Sequence, residues 1–366
     1  MTPGGEHARW MRLALTLGAR GQGRVWPNPA VGCVIVKDGR VLGRGWTQDG
    51  GRPHAEPVAL AQAGAAARGA TAYVSLEPCN HHGQTPPCSE ALIVAGVARV
   101  VVALTDPDPR VSGGGLDRLR AAGVEVVTGV CEAGAIAAHR GFLSRVTRGR
   151  PMLTLKLATS SDGRIATATG ESQWITGPEA RRWVHGMRAR HDAVLVGAGT
   201  ARADDPSLTV RGLGINHQPV RVVLSRRLDL PPGSALMRSA QEVPVWLCHG
   251  PDAPEAARAA WDAAGARRIE VPTGLGGQLD LALVMQALGD AGLTRVFCEG
   301  GGTLAASLLS ADLVDDLAVV SAGIVLGAEG TPAVGAMGIA VLAEAPRFSL
   351  RETRALGGDV LGLWSR

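Results

Sequence analysis

The stretch HAEPVAL, residues 54–60, and the stretch EPCNHHGQTPPC, residues 77–88, decide how this chain is read. They bring a histidine, a glutamate and two cysteines close together in a sequence that holds only 6 cysteines. A catalytic zinc takes three nitrogen or thiolate ligands and leaves a fourth position to water. His54, Cys79 and Cys88 supply that count, and Glu56, at the start of a predicted helix, can reach the open position without being a ligand. Cys79 follows directly on the apolar run YVSL, which puts its thiolate at the carboxyl end of a strand, where the sites of α/β layers commonly form. The two cysteines are separated by NHHGQTPP, so His81 and His82 compete with Cys88 as the third ligand.

H-x-E followed by P-C and a second cysteine is the pattern of zinc-dependent deaminases, although there the two cysteines usually stand closer. Zinc makes hydroxide available near neutral pH. Glu56 would carry a proton from water to the departing amine, which must be protonated to leave. A purely structural zinc would have no use for Glu56.

Working outward, 366 residues exceed what one hydrophobic core usually holds, and two domains are expected. With 46% hydrophobic and 19% charged residues the composition is globular, neither disordered nor fibrous. The formal charge is +4 and the pI near 8.9, with Lys and Arg scattered through the chain. That balance suits an anionic small molecule, whereas a nucleic-acid binder would carry a basic stripe with stacking aromatics, and here there are 1 Tyr, 3 Phe and 8 Trp, 3% of the chain. No apolar run approaches the roughly 18 residues of a membrane span. The N-terminal EHARWMRLALTLGARGQGR mixes charge into its apolar positions, unlike a signal-peptide core. A cytoplasmic protein with reduced thiols is expected, with Cys33, Cys131, Cys248 and Cys298 as buried packing residues.

Residues 1–146 alternate helix and strand. Trp10, Leu13 and Leu17 mark one helix face, and AVGCVIVKDGRVLGRGW reads as two strands turning at Asp38-Gly39. Helices from His54, from Cys88, near 114–122 and up to about 145 then alternate with the strands ATAYVSL, RVVVAL and VEVVTGV. This predicts a layered α/β domain around a mixed sheet. TRGRP, 147–151, reads as a linker. From 152 the alternation restarts with MLTLKLA and runs through PEARRWVHGMRAR, DAVLVGAG, VRVVLS, VPVWLCHG, RRIEVP, RVFCEGG and TLAASLLS to the final strands, so 152–366 form a second α/β domain.

WPNPAVGCVIV, HAEPVAL and EPCNHHGQTPPCSEALI together resemble the deaminase half of the bifunctional deaminase–reductase family of riboflavin biosynthesis, where the long cysteine spacing is the usual form. KLATSSDGRIATATGESQWIT, ARADDPSLTVR and VFCEGGGTLAASLL resemble its reductase half, so the likeness spans nearly the whole chain. The resemblance implies a cytidine-deaminase-like three-layer first domain, a dihydrofolate-reductase-like second domain, Zn2+ and NADPH as cofactors, and a phosphoribosylated pyrimidine as substrate. It implies that Asn28 holds the pyrimidine, although an asparagine between two prolines also reads as a turn residue. Further substrate contacts are implied at Ser172, Arg188, Leu208, Arg211 and Glu299. Cofactor contacts are implied at Ala158, Trp174, Thr200, Asp204 and Ser225, and along Gly301, Gly302, Thr303, Leu304, Ala305, Ala306 and Ser307.

Physically, EGGGT between a strand and a helix can cradle a pyrophosphate on backbone N–H groups, although it is not the G-x-G-x-x-G of a Rossmann turn. Arg226 and Arg227 after Ser225 could meet a 2′-phosphate, favouring NADPH, or simply be solvated. Arg188 and Arg211 suit a ribose 5-phosphate through forked hydrogen bonds. Lys156 or Glu299 could supply a proton or polarise the imine of the opened sugar. The leading expectation is hydrolytic deamination of the pyrimidine, then NADPH reduction of the ribose to a ribityl chain. The alternatives are the same fold with one live activity, and a nucleic-acid deaminase, which the scattered charge and scarce aromatics oppose. No nucleic-acid or membrane partner is expected, and the oligomeric state stays open, a homo-oligomer included.

Overall fold

The computed structural model describes residues 3–80, 86–108, 111–274 and 276–366. The chain divides into two compact units, Met1–Gly149 and Arg150–Arg366.

The first unit runs α1 (Pro3–Gly18), β1 (Gly32–Lys37), β2 (Arg40–Trp46), α2 (Ala55–Ala63), β3 (Thr71–Val74), α3 (Cys88–Val94), β4 (Arg99–Val102), α4 (Gly114–Ala121), β5 (Glu125–Thr128) and α5 (Glu132–Arg148). Its sheet has the order β2-β1-β3-β4-β5. β1 pairs antiparallel with β2 and β3, and the remaining pairs are parallel, so the sheet is mixed. The β1–β2 hairpin turns at Asp38 (φ 50°) and Gly39 (φ 70°), the two left-handed residues such a turn requires.

Successive strand side chains point to opposite faces. Ile35, Val74, Val100 and Val102 therefore pack under α2, α3 and α4, while Val34, Val36, Tyr73 and Val101 pack under Trp10, Met11 and Leu17 of α1. α5 joins both layers, with Ala135 in one and Phe142 in the other. α2 rides backbone to backbone on β2, because a Cβ on Gly45 would collide with the Ala55 carbonyl oxygen. That contact seats the start of α2 on the sheet.

The second unit opens with β6 (Met152–Ser160), β7 (Arg164–Ala166), α6 (Pro178–Ala189), β8 (Ala193–Gly197), α7 (Ala198–Asp204), β9 (Val220–Leu224), α8 (Ala235–Arg238) and β10 (Val245–His249). It continues with α9 (Glu255–Ala263), β11 (Arg267–Glu270), α10 (Leu281–Asp290), β12 (Arg295–Cys298), α11 (Gly302–Ser310), β13 (Asp316–Ala322), β14 (Thr331–Pro332), β15 (Ser349–Leu356) and β16 (Asp359–Ser365). The large sheet has the order β11-β10-β9-β8-β12-β6-β13-β16-β15, and β14 pairs with β7 apart from it. Strands β11 to β13 along that order are parallel, and β16 and β15 add an antiparallel edge. β9 and β10 are buried at every position, which is why they read as apolar runs, broken only by the buried Arg221 and His249. β12 is inserted between β6 and β8, so the chain order reverses there, and in open α/β sheets ligands bind beyond the carboxyl ends of strands at such a point.

Three expectations need correction. α5 runs to Arg148, so Thr147 and Arg148 of the expected linker are helical. α7 and α8 were not foreseen. Cys33, Cys248 and Cys298 are buried as expected, but Cys131 is only half-buried. It is the left-handed N-cap of α5, φ 61°, because the chain must reverse there, and its Sγ donates to the Ala8 carbonyl at 3.7 Å.

Candidate functional site

Three element ends deliver the first cluster. His54 is the extended N-cap of α2, Cys88 opens α3, and Cys79 follows the end of β3. One ligand atom from each lies within 4.8 Å of the others. His54 Nδ1 is 3.3 Å from Cys88 Sγ and 3.6 Å from Cys79 Sγ. Tetrahedral zinc at ordinary bond lengths holds a nitrogen and a sulfur roughly 3.5 Å apart, so the trio fits that ion. The Cys88 N–H donates to Cys79 Sγ at 3.4 Å. Cys79 is pulled down to about 4 by hydrogen bonding from the Cys88 thiol and, against its burial, from His54, and the same thiol pair pushes Cys88 up. His81 and His82, the competing ligands, lie outside the described residues.

Glu56 is 3% exposed, in the first turn of α2. Burial, and then the negative charge of Cys79, push its carboxyl up to about 7. Asn28 lies between α1 and β1, half-buried, with Nδ2 donating to the Gly51 carbonyl at 3.1 Å.

Glu77 escaped the sequence reading. Its buried carboxylate accepts from the backbone N–H groups of Asp106 (3.2 Å) and Gly113 (3.0 Å) on Oε2, and of Gly115 (3.0 Å) and Leu116 (3.4 Å) on Oε1. It thereby locks the start of α4 against the turn that carries Cys79, so closely that a Cβ on Gly115 would collide with the Pro78 carbonyl oxygen.

In the second unit Lys156 on β6, Asp204 at the end of α7, Glu299 directly after β12 and Arg188 on α6 lie close enough to act on one another. Arg188 grips Glu299 with both sides of its fork, Nε to Oε1 at 2.6 Å and Nη2 to Oε2 at 3.0 Å, and its Nη1 donates to the Thr209 carbonyl at 2.9 Å. The fork expected to meet a phosphate is therefore occupied by the protein. Burial pushes Glu299 up, but Arg188 and then Lys156 outweigh it and hold the carboxyl below its usual range. Lys156 is lowered by burial and by Arg188, against Glu299 and Asp204. Asp204 is raised, by desolvation that Lys156 only partly offsets.

The segment after α7 is tied at several of its residues. Arg221 donates to the Ser207 carbonyl at 3.4 Å, Gln218 exchanges two hydrogen bonds with Val210, and the Arg211 N–H donates to His185 Nδ1 at 3.2 Å. Leu208 is buried with φ 55°, and the Arg211 side chain is exposed. His185 and Gln218 were missed. His185 could have been found, since it stands three residues before Arg188 on one helix and so shares its face.

Around the glycine turn, Gly301 caps α11 without a side-chain hydrogen bond, and its N–H donates to Thr200 Oγ1 at 3.2 Å. A helix start left free of side-chain caps fits a dinucleotide phosphate. The glycines also have packing reasons: a Cβ on Gly302 would lie 2.6 Å from the Pro332 carbonyl oxygen, and one on Gly300 2.6 Å from Leu304 Cδ2. Thr303 and Ser307 are exposed and Leu304 half-buried, whereas Ala305 and Ala306 are core residues. Ala158 is half-buried on β6, Ser172 is half-buried, and Trp174 is 70% exposed with Arg181 stacked 4.7 Å from its ring centre. Ser225 donates to Asp229 Oδ1 at 3.0 Å, and Arg226 donates to the Gly277 carbonyl at 2.6 Å, while Arg227 is exposed.

A zinc-type His/Cys/Cys centre with a buried glutamate, in series with a parallel α/β unit whose charged cluster lies at a strand-order reversal, defines a two-domain enzyme with a zinc-dependent deaminase and a reductase. Comparison with known proteins agrees. Residues 5–104 match the family model described as the cytidine and deoxycytidylate deaminase zinc-binding region, and residues 151–361 match the RibD C-terminal domain. The chain is 44% identical over 363 residues to the riboflavin biosynthesis protein RibD of Escherichia coli, covering 96% of this chain and 97% of that protein. It is 39% identical over 357 residues to RibD of Aquifex aeolicus, with 98% of each covered. The solved structure of Acinetobacter baumannii RibD superposes with a TM-score of 0.90 at 39% identity, covering 99% of each chain. A Thermotoga maritima diaminohydroxyphosphoribosylaminopyrimidine deaminase/5-amino-6-(5-phosphoribosylamino)uracil reductase does so at 0.86 and 32%, again with 99% of each covered. The chain belongs to the RibD family, the bifunctional deaminase–reductases of riboflavin biosynthesis, with zinc and NADPH as cofactors. Among the described residues no helix is long and apolar enough to cross a membrane.

Proposed function

We propose that the first unit removes an amino group from diaminohydroxyphosphoribosylaminopyrimidine and that the second reduces the ribose of the resulting 5-amino-6-(5-phosphoribosylamino)uracil to a ribityl chain. The observation that carries the first step is a glutamate buried beside three convergent ligand atoms. His54, Cys79 and Cys88 hold zinc, which when bound supplies the Lewis acidity that makes water nucleophilic near neutral pH. Glu56, poised near 7, takes a proton as the water oxygen attacks the ring carbon and returns it to the departing nitrogen, which leaves as ammonia. Asn28 orients the pyrimidine.

In the second unit the uncapped start of α11 and Thr200 beside it, together with Ala158, Trp174, Asp204 and Ser225, receive NADPH, which supplies the hydride. Arg188 fixes Glu299 against the sugar, Ser172 and Leu208 line the substrate, and Arg211 meets its phosphate. The substrate is a free small molecule, not a nucleic acid, and the reaction belongs to the cytoplasm.

Glu56→Gln separates the two steps. The variant keeps its zinc and loses ammonia release by at least about a hundredfold, the usual share of a general acid–base group. It still oxidises NADPH, followed at 340 nm, when given pre-deaminated substrate. Ammonia release at the wild-type rate, or loss of metal and reduction together, overturns the two-site reading.

A further inference from the structure

Arg211, whose side chain is exposed, ends a segment whose backbone is gripped at four of its last five residues. Arg221 holds the Ser207 carbonyl, Arg188 the Thr209 carbonyl, and Gln218 both polar groups of Val210. The last grip comes from a side chain that titrates, since the Arg211 N–H donates to His185 Nδ1 at 3.2 Å. An imidazole nitrogen accepts only while it carries no proton. His185 therefore has to present a bare Nδ1, and the groups around it enforce that form. Arg188 faces it from the next turn of its own helix and Arg211 from the clamped segment, while Glu299, beyond β12, is the one opposing charge among the groups acting on it, helped by the Thr209 backbone. Burial comes first and the two guanidiniums follow, and together they hold the imidazole below its ordinary range.

We infer that His185 is a positioning residue of the reductase: by accepting from the Arg211 main chain it aims the Arg211 guanidinium at the anionic group of the substrate, and its protonation releases that aim. The inference rests on the reading of Arg211 as the phosphate contact. It specifies a dependence on substrate charge that a merely structural histidine would not produce. His185 has no reacting atom to serve, so kcat stays near wild type and the effect falls on KM, and only for a substrate that carries the phosphate.

The test uses the full-length chain with zinc and NADPH, and compares His185→Leu, which removes the acceptor, with His185→Asn, whose Oδ1 replaces Nδ1. Reduction is followed with the phosphorylated substrate and with its dephosphorylated form. His185→Leu should raise KM for the phosphorylated substrate by about tenfold, the upper end of one hydrogen bond's worth, and leave KM for the dephosphorylated form within about twofold. His185→Asn should restore the wild-type KM. In the wild type, KM for the phosphorylated substrate should also climb as the pH falls through the imidazole pKa. His185→Asn should lack that climb, which separates it from titration of the phosphate itself. Equal KM changes on both substrates, no change on either, or an acid limb that persists in His185→Asn overturns the inference. Should the leucine variant fail to fold, the wild-type and asparagine pH profiles still decide. Ammonia release by the first unit is a separate readout. A wild-type chain that releases ammonia but never oxidises NADPH refutes the bifunctional reading, whereas normal wild-type reduction with an insensitive His185→Leu refutes only the role of His185.

Discussion

Replacing Glu77 with glutamine changes one atom of a side chain that touches no substrate, yet it should be among the most damaging substitutions in the first unit. The carboxylate serves four backbone donors, two on each oxygen. Glutamine keeps one oxygen and turns the other into a donor that faces N–H groups. At least two charge-assisted hydrogen bonds are lost, each worth about 1.5–3 kcal/mol, and buried amides are left without an acceptor. Counting the 3.4 Å contact of Leu116 at little, the loss is about 3 kcal/mol. For a unit of this size that lowers its melting temperature by about 6–12 °C. Calorimetry on zinc-loaded full-length protein should show this shift, and bound zinc should fall with it, because Cys79 is two residues on. Glu90→Gln is the matched control. Glu90 pairs with Arg118 at 3.0 Å, but the side chains are 43% and 47% exposed, and such a pair contributes no more than about 1 kcal/mol. A Glu77→Gln protein that melts no earlier than the Glu90→Gln protein would refute the clamp.

Two further outcomes follow from charges in the second unit. Arg188→Met leaves Glu299 buried without its partner, which costs about 3–5 kcal/mol, so urea unfolding should shift markedly and reduction should be lost, while a wild-type unfolding curve speaks against the pair. Asp162 accepts from Ser160 Oγ and from the backbone N–H groups of Leu326 and Gly327, which hold it at about 2 against an ordinary 3.8. Because the folded value is depressed, this contribution is complete above pH 3.8 and disappears as the pH falls through about 2. Amide exchange at Leu326 and Gly327 should accelerate over that window, and Asp162→Asn should show the faster exchange already at neutral pH.

The metal cluster was legible because its residues are near neighbours in sequence, placed at the ends of elements whose types the periodicity reveals. The reductase cluster was not legible from residues alone. Lys156, Arg188, Thr209 and Glu299 come from four separate segments, and only the insertion of β12 between β6 and β8 brings them together. Without the likeness to a known family nothing in the local pattern links them. α7 was missed because AGTARAD is a seven-residue helix with a glycine and no apolar periodicity. Glu77 was missed for another reason: all its partners are backbone N–H groups, which every sequence has and none displays. The grip of Arg188 on Glu299 was not legible because an arginine in a motif looks the same whether it awaits a phosphate or already holds a buried carboxylate.

The two buried glutamates bear on a question that the sequence left open, namely which residue of the reductase supplies the proton, and on their contrast we propose Lys156. Both Glu56 and Glu299 are desolvated, which by itself favours the protonated acid. Beside Glu56 the neighbour is the Cys79 thiol group, and burial together with its charge pushes the carboxyl up to about 7, which suits a group that takes and returns a proton. Beside Glu299 the neighbours are Arg188 and Lys156, and the carboxyl stays below its usual range. Glu299 is thus a fixed anion with no proton to give. Lys156 has one, and its desolvated ammonium is lowered toward the range where donation is efficient. Lys156→Met, which keeps the stem and removes the charge, should slow reduction of pre-deaminated substrate by about 10²–10⁴-fold while ammonia release persists. The wild-type reduction rate should fall as the pH rises through the lysine pKa, since the protonated form is the active one. Full reductase activity in Lys156→Met, or a rate that rises on that limb, would return the role of proton donor to water or to the substrate itself.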